Sequence, residues 1–202
     1  TTTNSVVEGT TVTASNTKFI GVYDGSDADT VSGAESGNIT VTAGSSASTS
    51  TFAPYSSGGS VYFNGDAGPA TSMAYTSSGT DPWSFTSGED FAVEYYVYHN
   101  ATVGTSTEMR HAYGSANGAF ALYKSTSNQF VLRRYGVGNL IEVANYTTYF
   151  TPYKWHHVCV QRVSGLISIF FNGTVIGTAS GNTTTFPDST FYLGSHNTAG
   201  DN

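Results

Sequence analysis

The sequence predicts an all-β fold, a two-sheet antiparallel β-sandwich. Three observations carry this. Many short runs rich in Val, Ile, Phe, Tyr and Thr recur along the chain, separated by Gly, Asn, Asp and Ser. No run holds a 3.6-residue period over three turns. Asn172-Gly173 stands between Ile169-Phe170-Phe171 and Val175-Ile176, and Asn-Gly between apolar runs is the strongest short-range hairpin signal. With 202 residues, 38% of them hydrophobic and 14% aromatic, the chain can fill the core of one such domain.

The elements follow in order. Residues 1–17 are rich in Thr and Ser and read as an N-terminal arm or linker; residues 18–202 form the domain. Lys18-Phe19-Ile20-Gly21-Val22-Tyr23 reads as a strand ended by Asp24-Gly25, and Asn38-Ile39-Thr40-Val41-Thr42 as another. Residues 43–59 read as a small-residue loop with Pro54. Ser60-Val61-Tyr62-Phe63 is a strand stopped by Asn64-Gly65, and Ser72-Met73-Ala74-Tyr75 is a short strand. Residues 81–85, with Pro82, read as a turn or a single helical turn. Phe91-Ala92-Val93-Glu94-Tyr95-Tyr96-Val97-Tyr98 is the clearest strand. Its alternation puts Phe91, Val93, Tyr95 and Val97 on one face and Ala92, Glu94, Tyr96 and Tyr98 on the other. Strands are also predicted at 108–113, 119–123, 129–135, 140–143, 155–162, 167–171 and 190–193. The core is expected to hold Phe63, Phe91, Val93, Tyr95, Val97, Phe120, Leu122, Trp155, Val158, Val160, Ile167, Ile169 and Phe191.

Composition narrows the function. Charged residues are only 10%, so solubility rests on Ser, Thr, Asn and Gly, a texture that suits a secreted or particle-surface protein. A net charge of −7 with seven basic residues excludes nucleic-acid binding, which needs clustered Lys and Arg. The one basic pair, Arg133-Arg134, lies in a strand and points to opposite faces. With a single cysteine there is no internal disulfide; Cys159 reads as a small buried hydrophobe. No apolar run is long enough to span a membrane as a helix.

Candidate chemistry is sparse. A glycosidase needs two carboxyls about 5–10 Å apart. Glu89 and Asp90 are adjacent and face opposite ways, and Glu94 has no acidic partner two residues away. No catalytic pair is assembled and no enzyme activity is expected. His156 and His157 are adjacent in a strand, so one metal cannot easily take both. Asp24, Asp27 and Asp29 in a Gly/Ser loop, with Asn64 and Asp66 after another strand, are oxygen ligands of the kind Ca²⁺ uses. Plain solvated turn residues are the more ordinary reading of them. Tyr96, Tyr98, Tyr113, Tyr123 and Tyr135 are candidates for a tyrosine-rich outer face that stacks on sugars or proteins, with Tyr96, Tyr98, Tyr113 and Tyr135 as the ligand-binding set. Ordinary sheet propensity explains them too. Asn38, Asn100, Asn145, Asn172 and Asn182 each begin an Asn-x-Thr sequon.

Several of these segments, in order, carry a resemblance. They are Ser60-Val61-Tyr62-Phe63-Asn64-Gly65, then Gly88-Glu89-Asp90-Phe91-Ala92-Val93-Glu94-Tyr95-Tyr96-Val97-Tyr98, and Gly118-Ala119-Phe120-Ala121-Leu122. Trp155-His156-His157-Val158 with Arg162 and the Asn172-Gly173 hairpin follow, then Phe191-Tyr192-Leu193-Gly194. Together they resemble the laminin-G-like jelly roll of the concanavalin A-like lectin/glucanase superfamily, over roughly residues 18–194. The resemblance implies a concanavalin A-like jelly roll and a calcium that ties loops together. Asn64 stands where the family usually has Asp. The family's usual last strand is expected to be missing from 18–202 and supplied by the arm, by a longer chain or by a neighbouring subunit. With its Ser/Thr/Gly-rich texture the chain is similar to modules on bacteriophage structural proteins, marine ones especially. The implied function is a non-catalytic surface module of a virion, as capsid decoration, spike or tail-fibre domain, for adhesion or assembly. Its implied partners are other virion or cell-surface subunits and a host-surface glycan, in a larger assembly. An extracellular lectin-like domain of a bacterial adhesin or enzyme is the alternative, and a glycoside hydrolase the third reading.

Overall fold

The computed structural model describes residues 84–187, except 107 and 115, and five flanking strands. Four of these precede the main block: Gly37–Val41 (β1), Ala47–Ser50 (β2), Ser60–Phe63 (β3) and Met73–Ser77 (β4). Within the block lie Phe91–Tyr98 (β5), Met109–Gly114 (β6), Phe120–Lys124 (β7), Phe130–Arg134 (β8) and Gly138–Val143 (β9). The one-turn helix Tyr146–Tyr149 (α1) follows, then Trp155–Val163 (β10), Leu166–Phe171 (β11) and Thr174–Ala179 (β12), with Phe191–Leu193 (β13) last. The described strands pair antiparallel throughout. They form a seven-stranded sheet, β1-β4-β13-β6-β7-β8-β9, a four-stranded sheet, β12-β11-β10-β5, and a two-stranded ribbon, β2-β3. The fold is the all-β two-sheet sandwich the sequence predicts.

Alternation builds the core. β5 and β10 bury every second residue, so Phe91, Val93, Val158 and Val160 face inward with Ile167 and Ile169 of β11. Phe120, Leu122, Phe130, Leu132, Ile141 and Val143 meet them from the larger sheet. Burying one such side chain contributes roughly 1.5–3 kcal/mol. The turns that join β10, β11 and β12 are both two-residue loops with positive φ at each position: Ser164 (50°) and Gly165 (78°), then Asn172 (48°) and Gly173 (80°). This conformation matches the strand twist and accounts for Asn-Gly in the second turn.

Four expectations need correction or placement. Trp155 is not in the core. It has the opposite strand parity to Val158 and Val160, so it is half-buried on the outer face, and His156 is the inward residue. The stretch 43–59, read as a loop, contains β2; Ala-Ser-Thr-Ser has no apolar pattern, and the strand exists through its pairing with β3. The α1 turn interrupts a segment that lacked any helical period. The arm 1–17 and the strand at 18–23 lie outside the described residues, as do the side chains of Phe63 and Phe191. The final strand read from the sequence, β13, is interior to the larger sheet, paired with β4 on one side and β6 on the other. Among the described residues no helix is long and apolar enough to cross a membrane.

Candidate functional site

The outer face of the four-stranded sheet carries aromatic residues in adjacent rows. Trp155 pairs with Tyr98 and His157 with Tyr96 across β10 and β5, and residues directly opposite share a face. The Tyr98 and Trp155 rings lie 5.4 Å apart at 53°, and Tyr96 and His157 lie 4.9 Å apart at 40°. Tyr96 is 42% exposed. His157 Nε2 stands 3.3 Å from Glu94 Oε2. The next row is Glu94, Cys159, Phe170 and Val175, which extends the apolar character to β12. Burial, and then the Glu94 carboxylate, push the Cys159 thiol up to about 11, so it stays protonated and unreactive at neutral pH.

The predicted tyrosines therefore do not share one face. Tyr96 and Tyr98 lie on the four-stranded sheet. Tyr113 of β6 lies on the outer side of the seven-stranded sheet, and Tyr135, just past β8, packs on it with rings 4.7 Å apart. Tyr123 pairs with Arg110 on that same side. Tyr113 is only 3% exposed, beneath the Arg110 guanidinium at 5.1 Å, and offers little ring surface to a ligand. The metal candidates Asp24, Asp27, Asn64 and Asp66 lie outside the described residues. Among the described residues no group of three His, Cys, Asp or Glu is placed to hold a metal ion.

The described carboxylates have local structural partners. Glu89 accepts hydrogen bonds from the backbone N–H and hydroxyl of Thr86. Asp90 accepts from Ser164 N–H, Glu108 bonds Arg110, and Glu142 accepts from Gln129 and Asn139. Glu94 and Glu142 stand on different sheets.

Inside the sandwich lies a polar chain that sequence reasoning did not assemble. Tyr95 Oη is 2.9 Å from His111 Nδ1, and His111 Nε2 is 2.8 Å from Tyr146 Oη. Tyr146 Oη is in turn 2.8 Å from His99 Nε2. A β-bulge at Arg110/Ala112 turns His111 inward while Arg110 stays out. Burial first, and a neighbouring histidine second, lower His111 to about 3 and His99 to about 4, while burial raises both tyrosines. The signal was weak: His99 lies just past the end of β5, Tyr146 in a one-turn helix and His111 at a bulge, where alternation has no reach. At the other end Arg162, fully buried, donates to the carbonyls of Glu89, Thr86 and Thr184 and stacks on Phe91 at 5.0 Å.

The two antiparallel sheets closed over one core define a jelly-roll β-sandwich. The chain belongs to the concanavalin A-like lectin/glucanases superfamily, whose laminin-G-type family model matches residues 71–202. No curated protein matches. Among solved structures it is similar to the binding domain of botulinum neurotoxin serotype D/C, with a TM-score of 0.57, 14% identity and coverage of 85% of this chain. It is similar also to the botulinum neurotoxin DC binding domain in complex with rat synaptotagmin II, at 0.55, 12% and 85%. The chain spans 41% and 42% of those two structures. At such identities the likeness concerns the fold alone.

Proposed function

We propose that this domain is a non-catalytic recognition module displayed on a surface, with carbohydrate as its ligand and the outer face of the four-stranded sheet as its contact region. The observation that carries the reading is the pair of adjacent rows Tyr98/Trp155 and Tyr96/His157. Aromatic rings present an apolar face to the C–H side of a sugar ring, and their polar tips, with Glu94 and His157, can meet its hydroxyls. Glu89, Asp90, Glu108 and Glu142 are held in local hydrogen bonds, which disfavours their use as the pair of carboxyls a glycosidase needs. The setting proposed is a virion, as capsid decoration, spike or tail fibre, with other surface subunits as neighbours and a host glycan as target. The chain's 10% charged content and its Ser, Thr and Gly texture support a surface setting.

A glycan array run beside a reducing-sugar assay tests this. Binding without sugar release is expected. Release of reducing sugar that Glu94→Gln abolishes would replace the module with an enzyme.

A further inference from the structure

The buried chain Tyr95–His111–Tyr146–His99 ties together the two sheets and the turn that joins them. Tyr95 and His99 come from β5 and its end, His111 from β6, and Tyr146 from α1. Tyr146 has one hydroxyl proton and two imidazole neighbours. It can donate to one, and the other must donate to it, so with both rings neutral every bond has its donor and its acceptor in either order. One added proton still leaves each bond a donor and an acceptor, but it places a cation in the core. A second added proton makes both rings donors to Tyr146, whose own hydroxyl proton then loses its acceptor.

The surroundings favour no charge there. Lys124, from β7, puts Nζ 5.8 Å from the Tyr146 ring and donates to the carbonyls of Thr105 and Ser125. His156, from β10, bonds Thr151 O through Nε2 and Asn172 through Nδ1. The remaining neighbours are the rings of Phe130 on β8, Phe150 after α1 and, against Phe150, Phe171 on β11. Among the described residues no carboxylate bonds to this network. An imidazolium here lies in low dielectric beside a buried ammonium.

We propose that this network is an acid-operated latch: protonation of His99 and His111 frees segment 146–153 from the end of β5 and disturbs the Tyr98/Trp155 pair beside it. The connection is short. The His99 carbonyl accepts from Tyr153 N–H at 2.8 Å, His99 directly follows Tyr98, and Trp155 lies two residues beyond Tyr153. His99 and His111 titrate near 6.5 when exposed, and near 4 and 3 when buried. Each therefore favours the open form by about thirtyfold at pH 5, and the two together by about a thousandfold relative to pH 7.5. Loss of ligand from Tyr98 and Trp155 on acidification rests in addition on the recognition reading; the opening itself does not.

Amide hydrogen exchange of the full chain without ligand, at pH 7.5, 6 and 5 and corrected for intrinsic rates, separates the two. Segment 146–153 is expected to lose about a hundredfold or more of its protection by pH 5 while β11 stays better protected. His99→Gln/His111→Gln, which keeps a donor and an acceptor at each site but no titrating ring, should abolish that loss. Three results overturn the latch: unchanged protection of 146–153 down to pH 5, exchange of 146–153 and β11 at one common rate throughout, or full acid loss in the double variant. If that variant does not fold, proton NMR of the wild-type ring C–H groups decides; titration of both rings near pH 6.5 in the folded protein would overturn the proposal.

Discussion

Asn172 and His157 are joined by two hydrogen bonds that run in opposite directions. The Asn172 backbone N–H donates to the His157 carbonyl at 2.8 Å, and the His157 N–H donates to Asn172 Oδ1 at 2.9 Å. Asn172 Nδ2 also reaches His156 Nδ1 at 3.3 Å. The turn between β11 and β12 is thereby fastened to β10, next to the aromatic rows. Asn suits the position because it tolerates φ of 48° and carries both an acceptor and a donor.

Asn172→Ala should therefore destabilise the domain by about 1–2 kcal/mol, through lost side-chain bonds and strain at positive φ. That corresponds to a Tm lower by about 2–8 °C. Asn172→Gly keeps the conformation and loses only the bonds, so it should cost less than Ala. Thermal denaturation of both variants checks the order; Ala milder than Gly would contradict it.

Gly177 marks where the edges of the two sheets approach. A Cβ there would stand 2.7 Å from Ile141 Cγ2 and 2.8 Å from Val143 Cγ2, both side-chain methyls of β9. Gly177→Ala should cost about 1–3 kcal/mol by overpacking. Adding Val143→Ala should recover part of that loss, since the pair shares one space. Denaturant midpoints of the two single variants and the double variant measure the coupling; strict additivity would remove the explanation.

Arg162 is worth more than a surface arginine. Its removal takes the guanidinium donor from the carbonyls of Thr86, Glu89 and Thr184 and uncovers the Phe91 ring. Arg162→Met should cost at least about 3 kcal/mol. Arg162→Lys should recover little, because an ammonium cannot span three carbonyls in the guanidinium plane. Urea denaturation of the two variants, both close to wild type, would show that the clamp does not hold the end of the sandwich.

Global stability should fall in acid. His99 and His111 have folded pKa values below their unfolded one, so the unfolded chain binds more protons as pH drops below about 6.5. Their contribution is complete above that pH and is lost as pH falls towards 4 and 3. At pH 5 the loss is about 2 kcal/mol from each. Unfolding free energies between pH 7.5 and 5 should show this slope in the wild type and a flatter profile in His99→Gln/His111→Gln. Equal slopes in both would contradict it.

Much of the fold was legible because strand alternation and turn chemistry are local. Phe91, Val93, Val158 and Val160 follow from parity, and the Asn172-Gly173 hairpin from the demand for positive φ. Trp155 was misplaced because size outweighed parity. β2 is held by pairing rather than by pattern, so Ala47 and its neighbours gave no signal. The tyrosines were visible as residues, but not their division between two sheets, since that depends on topology. The His111 bulge and the meeting of His99, His111 and Tyr146 are tertiary facts that only the packed sheets create.

The proposed recognition face is the outer face of the four-stranded sheet. It is tested most directly by titrating the best array glycan against Tyr98→Ala/Trp155→Ala and against Tyr135→Ala, which alters the opposite face. Loss of two stacked rings should weaken binding by at least about tenfold. Tyr135→Ala should bind as wild type does, with far-UV circular dichroism unchanged in both variants. Full affinity in Tyr98→Ala/Trp155→Ala together with lost affinity in Tyr135→Ala would move the site to the other sheet and contradict the account.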